Sequence, residues 1–192
     1  AAMMAHMPED GLLLGVVDPG VGTARAGLVV EAGQQRMVGP DNGLFEIALR
    51  RAGGGRLHEI HWRPQRLSSS FHGRDLFAPV AAGLAVGRPL ADFARPRPAE
   101  APRIGADWPD DLAEVIYVDG YGNCMTGLRF DRAADHLPPG LVLADTFASM
   151  PPGRVFGYRN SLDLLEIAVN QGHAARQLGL AVGSRLADSR LV

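Results

Sequence analysis

The stretch Val17-Asp18-Pro19-Gly20-Val21-Gly22-Thr23-Ala24-Arg25 decides how the first half of this chain is read. It follows an apolar run, residues 12–17, that predicts a buried strand. Pro19 fixes its own backbone and drives Asp18 toward extended geometry. Gly20 and Gly22 permit a sharp turn and a close approach to the backbone. The reading is an acid at the carboxyl end of a strand, with Arg25 seven residues on and able to fold back toward it. Carboxyl ends of strands are where open α/β sheets bind ligands. The same residues also suit a structural Asp–Arg pair that braces a tight loop.

Outward from this loop, short apolar runs alternate with helical ones. Strands are expected at 12–17, 27–30, 37–38 and 58–62. A helix is expected at 44–51, opened by the turn Gly39-Pro40-Asp41-Asn42-Gly43, and another at 76–85 after Arg74-Asp75. This alternation predicts an α/β domain, a layered sheet with helices, over residues 1–94. Arg95-Pro96-Arg97-Pro98-Ala99-Glu100-Ala101-Pro102-Arg103 holds three prolines in nine residues, so 95–110 is read as a linker. Beyond it, short apolar runs at 114–118, 125–130, 141–143, 154–158 and 164–169 are separated by Gly, Pro and Asp. They predict a smaller, mostly β barrel or sandwich over 111–192.

Composition excludes several classes. A net charge of −2 gives no electrostatic case for nucleic acid or an anionic membrane. No apolar run approaches the roughly 20 residues that span a bilayer, and no secretory signal is present. The one cysteine, Cys124, rules out an internal disulfide framework and fits a reducing cytoplasm. All 19 basic residues are arginine, which excludes a lysine Schiff base and a P-loop.

Four polar clusters stand out. Asp18 with Arg25 is the first. The turn Pro40-Asp41-Asn42-Gly43 is the second; its Asn amide can read a heterocycle edge, although turn chemistry alone explains it. The third is Ser68-Ser69-Ser70-Phe71-His72-Gly73-Arg74-Asp75, where a His after small residues can present its imidazole in a cleft. An isolated His is more often a satisfied surface or core residue. The fourth, Tyr117-Val118-Asp119-Gly120-Tyr121-Gly122-Asn123, reads as a strand entering a glycine turn. As a binding loop it offers a carboxylate for an amine and an amide for a carboxylate. His58 and His61 are spaced as a weak metal motif, but on a strand they point to opposite faces.

Taken together, Val16-Val17-Asp18-Pro19-Gly20-Val21-Gly22-Thr23-Ala24-Arg25, Pro40-Asp41-Asn42-Gly43, Phe71-His72-Gly73-Arg74-Asp75 through Pro79, Asp119 through Asn123, and Asn160-Ser161 with Leu165-Glu166-Ile167-Ala168 resemble the S-adenosyl-L-methionine hydroxide adenosyltransferases, relatives of the fluorinases and chlorinases. The resemblance spans nearly the whole chain and implies an α/β domain, a β domain and a homotrimer with sites between subunits. It also implies displacement at the ribose 5′ carbon: water or hydroxide enters, and methionine leaves. No cofactor and no metal is implied, because the sulfonium leaves as neutral methionine without acid assistance. The resemblance assigns Asp18, Arg25 and His72 to holding and polarising the attacking water. Asp119, Tyr121, Asn123 and Ser161 hold the methionine end, with Asp119 pairing the ammonium. Phe147 stacks on adenine, and Asn42 lines the nucleoside pocket. Gly73, where the halide-using relatives carry Ser, joins His72 in pointing to hydrolysis.

Three features depart from the family pattern. Its opening strand, ending in Asp-Phe-Gly with an Asp on the ribose hydroxyls, has no counterpart here, so the α/β domain is expected to be truncated at its N-terminus and substrate affinity lowered. The Ser-Arg pair is Ser161-Leu162, with Asp163 where glycine is usual. Thr126-Gly127 stands for Thr-Asn. A non-catalytic adenosine- or S-adenosylmethionine-binding protein of the same fold is the alternative reading. A metal hydrolase using His58 and His61 is the third.

Overall fold

The computed structural model describes residues 1–188. The chain divides into two compact units, Met3–Asp110 and a second beginning at Asp111.

In the first unit, strands β1 (Leu12–Leu14), β2 (Gly27–Ala32), β3 (Gln35–Pro40), β4 (Arg56–Ile60) and β5 (Ala94–Pro96) form one sheet in the order β1-β3-β2-β4-β5. Only β1 and β3 run parallel; β2, β4 and β5 pair antiparallel with their neighbours. The period-2 alternation of strands sends Val29, Val38 and Ile60 to one face and Leu28, Val30 and Met37 to the other. Helix α1 (Glu46–Arg51) supplies Ala48 and Leu49 to the second face. Helix α2 (Ala78–Ala85), continuing from a π-helical turn at Gly73–Phe77, covers the first with Val80, Ala81 and Leu84. A sheet with helices on both faces is the layered α/β arrangement expected.

The stretch read as a linker behaves differently. Arg95 and Pro96 lie on edge strand β5, where a missing N–H is tolerated. The residues after it strap the first unit. Arg97 pairs with Asp41 at 2.7 Å, Arg103 reaches Glu46 at 3.3 Å, and Arg50 donates to the Trp108 carbonyl at 2.6 Å. The Trp108 ring lies against Gly43 and Gly105. The other tryptophan, Trp62, meets Phe93 edge-on at 6.2 Å.

In the second unit, β6 (Leu112–Val118), β7 (Cys124–Arg129), β8 (Val155–Arg159) and β9 (Leu164–Val169) form an antiparallel sheet in the order β6-β7-β9-β8. This corrects the barrel or sandwich expectation: the sheet is open, because β6 and β8 lie at its two edges and do not pair with each other. Each edge is instead partly covered by loop backbone. Val115 exchanges bonds with Gly183 and Ser184, and Gly157 of β8 with Val142 and Ala144. Residues 141–143 form a single bridge, Leu143 to Gly157, rather than the strand expected, and Leu141 packs against the core. Helix α3 (Ala174–Leu178) adds Ala174 to a core built on Leu128, Leu165 and Ile167.

Candidate active site

Because β1 and β3 are parallel, their carboxyl ends lie side by side. Gly15 donates to Val38, and the chain then leaves the sheet toward Asp18 while β3 ends in Pro40. Asn42 fastens the two exits together: its Nδ2 donates to the Val17 carbonyl at 2.8 Å, and its Oδ1 accepts from Leu44 N at 3.2 Å. Asn42 thus serves the backbone that carries Asp18.

Arg25 does fold back. Its Nη2 donates to Asp18 Oδ2 at 2.6 Å, its Nη1 donates to the Ala26 carbonyl, and its guanidinium lies 5.4 Å from the Phe77 ring centre. Both side chains are over nine-tenths covered, Arg25 at 9% and Asp18 at 6% exposure. In this dry setting the pair is held more strongly than a surface ion pair.

The His72 loop packs against the same exit. Gly22 has φ +80°, and a Cβ there would lie 2.6 Å from the Ser69 carbonyl oxygen. A Cβ at Gly73 would lie 3.0 Å from Val16. The first three sequence clusters therefore meet at one end of the sheet. His72 caps the π-helical turn, a feature frequent at functional sites. Asp75 secures the loop from behind, accepting from Ser68 N at 2.9 Å and from Arg74 Nε at 2.6 Å. The Arg74 guanidinium, the Ser68 amide and nearby His72 hold the Asp75 carboxyl down at about 2.

Three buried atoms at this place have no hydrogen-bond partner: Asp18 Oδ1, Arg25 Nε and His72 Nδ1. Buried polar atoms are nearly always paired, so an orphan asks for a ligand or a chemical role. Here the Asp oxygen accepts, the Arg Nε–H donates, and the imidazole nitrogen does either according to tautomer. That is the complement of a water molecule giving up a proton.

The second unit holds a separate set. Asp119, Tyr121, Asn123 and Phe147 line one concavity of about 480 Å³, together with Val169, Gln171 and Gly172. Asp119 organises its own loop: Oδ1 accepts from Tyr121 N and Asn123 N, and Oδ2 accepts from Asn123 Nδ2, each at 2.9 Å. Gly122, at φ +87°, must lack a side chain because a Cβ would lie 2.0 Å from the His173 ring. Tyr121 is 81% exposed on the rim. Phe147 packs edge-on against Phe156 at 5.0 Å and Tyr158 at 5.4 Å.

Ser161 does not join that concavity. It is exposed on the turn from β8 to β9, whereas the lining residues Val169 to Gly172 follow the far end of β9. Asp163, where the family pattern has glycine, adopts φ +59°. Asp tolerates the left-handed region better than most residues, so the turn survives the exchange. Sequence reasoning gave no role to Tyr158 and Glu166, which form a buried network with Asn160. The signal was available: a carboxylate inside the apolar run Leu164 to Val169 must find partners when buried.

His58 and His61 are occupied apart from each other, His58 with Glu31 at 2.9 Å and His61 with the Ala91 carbonyl at 3.2 Å. Among the described residues no three His, Cys, Asp or Glu side chains are grouped to hold a metal ion. No described helix is long and apolar enough to cross a membrane.

The two sheet-built units have counterparts among known proteins. Residues 1–94 match the SAM hydroxide adenosyltransferase N-terminal domain and residues 113–187 its C-terminal domain. An (R)-S-adenosyl-L-methionine hydrolase of Salinispora arenicola is 40% identical over 89% of this chain and 72% of its own length. One of Thermus thermophilus is 37% identical over 94% and 76%. The crystal structure of an uncharacterised conserved protein from Thermotoga maritima superposes with a TM-score of 0.79 at 30% identity, covering 95% of this chain and 78% of that one. The chain belongs to the SAM hydroxide adenosyltransferase family.

Proposed function

We propose that this chain hydrolyses S-adenosyl-L-methionine to adenosine and L-methionine. Family membership and the names of its relatives support the substrate and the reaction. The single observation that carries the site is the trio of orphaned buried atoms on Asp18, Arg25 and His72.

In the reaction, a water oxygen bonds to the ribose 5′ carbon as the carbon–sulfur bond breaks. That bond's electron pair stays on sulfur, so methionine leaves as a neutral thioether. The water gives up one proton. The leaving group is already cationic, and the barrier lies in holding and deprotonating a weak nucleophile in line. Asp18 Oδ1 and His72 Nδ1 offer the acceptors, and Arg25 Nε–H steadies the developing hydroxide. Asp119 takes the substrate ammonium, Asn123 serves its polar groups and Tyr121 closes the rim, while Ser161, outside that concavity within this chain, serves a polar group of substrate held between subunits. Phe147 stacks on adenine, and Gly73 keeps room beside His72. The working form is a homotrimer in a bacterial cytoplasm, with sites built between subunits and neither cofactor nor metal. A buried, unpaired Cys124 is consistent with that compartment.

The test is incubation with S-adenosylmethionine in ¹⁸O-water, followed by mass spectrometry. Adenosine carrying ¹⁸O, formed with methionine and unaffected by a strong chelator, is the expected result. Tight binding without product would overturn hydrolysis in favour of a non-catalytic binding protein. Light-scattering mass in solution checks the trimer.

A further inference from the structure

We infer that Glu166 is a positioning residue that braces two separate candidate substrate contacts of the second unit, Phe147 and the Ser161 turn, at once. The inference rests on the proposed hydrolysis and deepens it.

Glu166 is 6% exposed, on β9, inside an otherwise apolar strand. A buried carboxylate needs partners, and it has two. Tyr158 Oη donates to Oε1 at 2.7 Å, and Asn160 Nδ2 donates to Oε2 at 2.8 Å. Each partner leads to a different candidate contact. The Tyr158 ring backs Phe147 at 5.4 Å, and Phe147 lines the concavity. Asn160 Oδ1 accepts from Leu162 N at 2.9 Å and Leu164 N at 3.0 Å, which fixes the turn bearing Ser161. Phe147 and Ser161 do not share a cavity lining, yet one carboxylate holds the residue behind each.

The arrangement is also ordered by charge. Both carboxylate oxygens accept, so Tyr158 must keep its proton and Asn160 must turn its NH₂ inward. That orientation points the Asn160 carbonyl at the turn. An amide at position 166 would present one acceptor and one donor: with the donor toward Asn160 Nδ2 two NH₂ groups oppose each other, and with the donor toward Tyr158 the hydroxyl must turn its O–H away. In either orientation one partner is displaced and the bond to the other loses its charge assistance, so both the Phe147 backing and the Ser161 turn are loosened. A side chain that merely filled space at 166 would not couple the two places.

The experiment compares wild type with Glu166→Gln and Tyr158→Phe. Steady-state kinetics with S-adenosylmethionine are measured alongside calorimetric binding of adenosine and of methionine and the melting temperature of each variant. Glu166→Gln is expected to raise KM about tenfold with kcat changed less than about threefold, and to weaken both product ligands. Tyr158→Phe removes one hydroxyl and is expected to weaken adenosine about threefold while methionine binding holds. If wild type turns over and Glu166→Gln keeps the wild-type KM, or weakens only one of the two ligands, the inference falls and the hydrolysis stands. If Glu166→Gln fails to fold, Tyr158→Phe decides: equal loss for both ligands, or none, overturns it. A wild type that neither binds nor converts S-adenosylmethionine removes the functional reading, and this inference with it.

Discussion

The Asp18–Arg25–His72 cluster and the Asp119–Asn123 loop are both polar and both glycine-rich, but they treat their hydrogen bonds in opposite ways. Asp119 uses both oxygens within its own loop, and each oxygen of Glu166 on the same sheet likewise accepts a hydrogen bond. Asp18, Arg25 and His72 each leave one buried atom without a partner. A satisfied network holds a shape. An incomplete one stores the capacity to bond a reacting atom more strongly than the resting protein does, which is where rate is gained. The second unit is accordingly read as grip and the first as chemistry.

His72→Ala tests that contrast most severely. It is expected to lower kcat by about 10²- to 10⁴-fold while calorimetry finds S-adenosylmethionine affinity near wild type. Asp119→Asn should do the reverse, raising KM about tenfold with a smaller change in kcat, because the ammonium loses its charged partner. If the two variants exchange these signatures, the division of labour is wrong. A smaller effect sharpens the first region's geometry. Gly22→Ala must place a side chain at φ +80° and against the Ser69 carbonyl, so urea unfolding should show a loss of about 1–3 kcal/mol.

Acid should reach the two regions unequally. Asp75 titrates at about 2 in the folded chain, below its ordinary value near 3.8. Its stabilising contribution is full above about pH 5 and is lost as pH falls through about 2. Chemical unfolding across that window should be less steeply pH-dependent in Asp75→Asn than in wild type. The mildest test concerns Cys124, whose thiol is pushed up to about 11 by burial and by the Asp119 and Glu166 carboxylates. A thiol reagent at pH 8 should leave it unmodified until denaturant is added.

Much of this was legible beforehand because it is local. Short apolar runs marked the strands of both sheets except edge strand β5, and Pro19 with the flanking glycines wrote the Asp18 loop. Arg25 folding onto Asp18 followed from the turn between them. The failures involve pairing at a distance. The parallel partnership of β1 and β3 leaves no trace in either strand's own pattern, and neither does the sheet order that keeps β6 and β8 apart. Residues 95–110 looked like a linker because proline forbids helix. What fixes them is a set of arginine contacts with residues 56 to 59 positions away, such as Arg97 to Asp41 and Arg51 to Asp110. Ser161 is grouped with Asp119 by the family resemblance, and only the strand register shows that β9 separates its turn from the residues lining the concavity.

Trp108, laid across Gly43 and Gly105, has one consequence outside binding and catalysis. The chain has 2 tryptophans, Trp62 and Trp108, and both fall in the first unit; its 3 tyrosines, Tyr117, Tyr121 and Tyr158, all fall in the second. Each unit thus carries its own chromophore. Emission excited in tryptophan alone follows the melting of the α/β layer, and second-derivative tyrosine absorbance follows the antiparallel sheet. Whether the two curves coincide reports directly on whether the halves of the molecule unfold as one cooperative body.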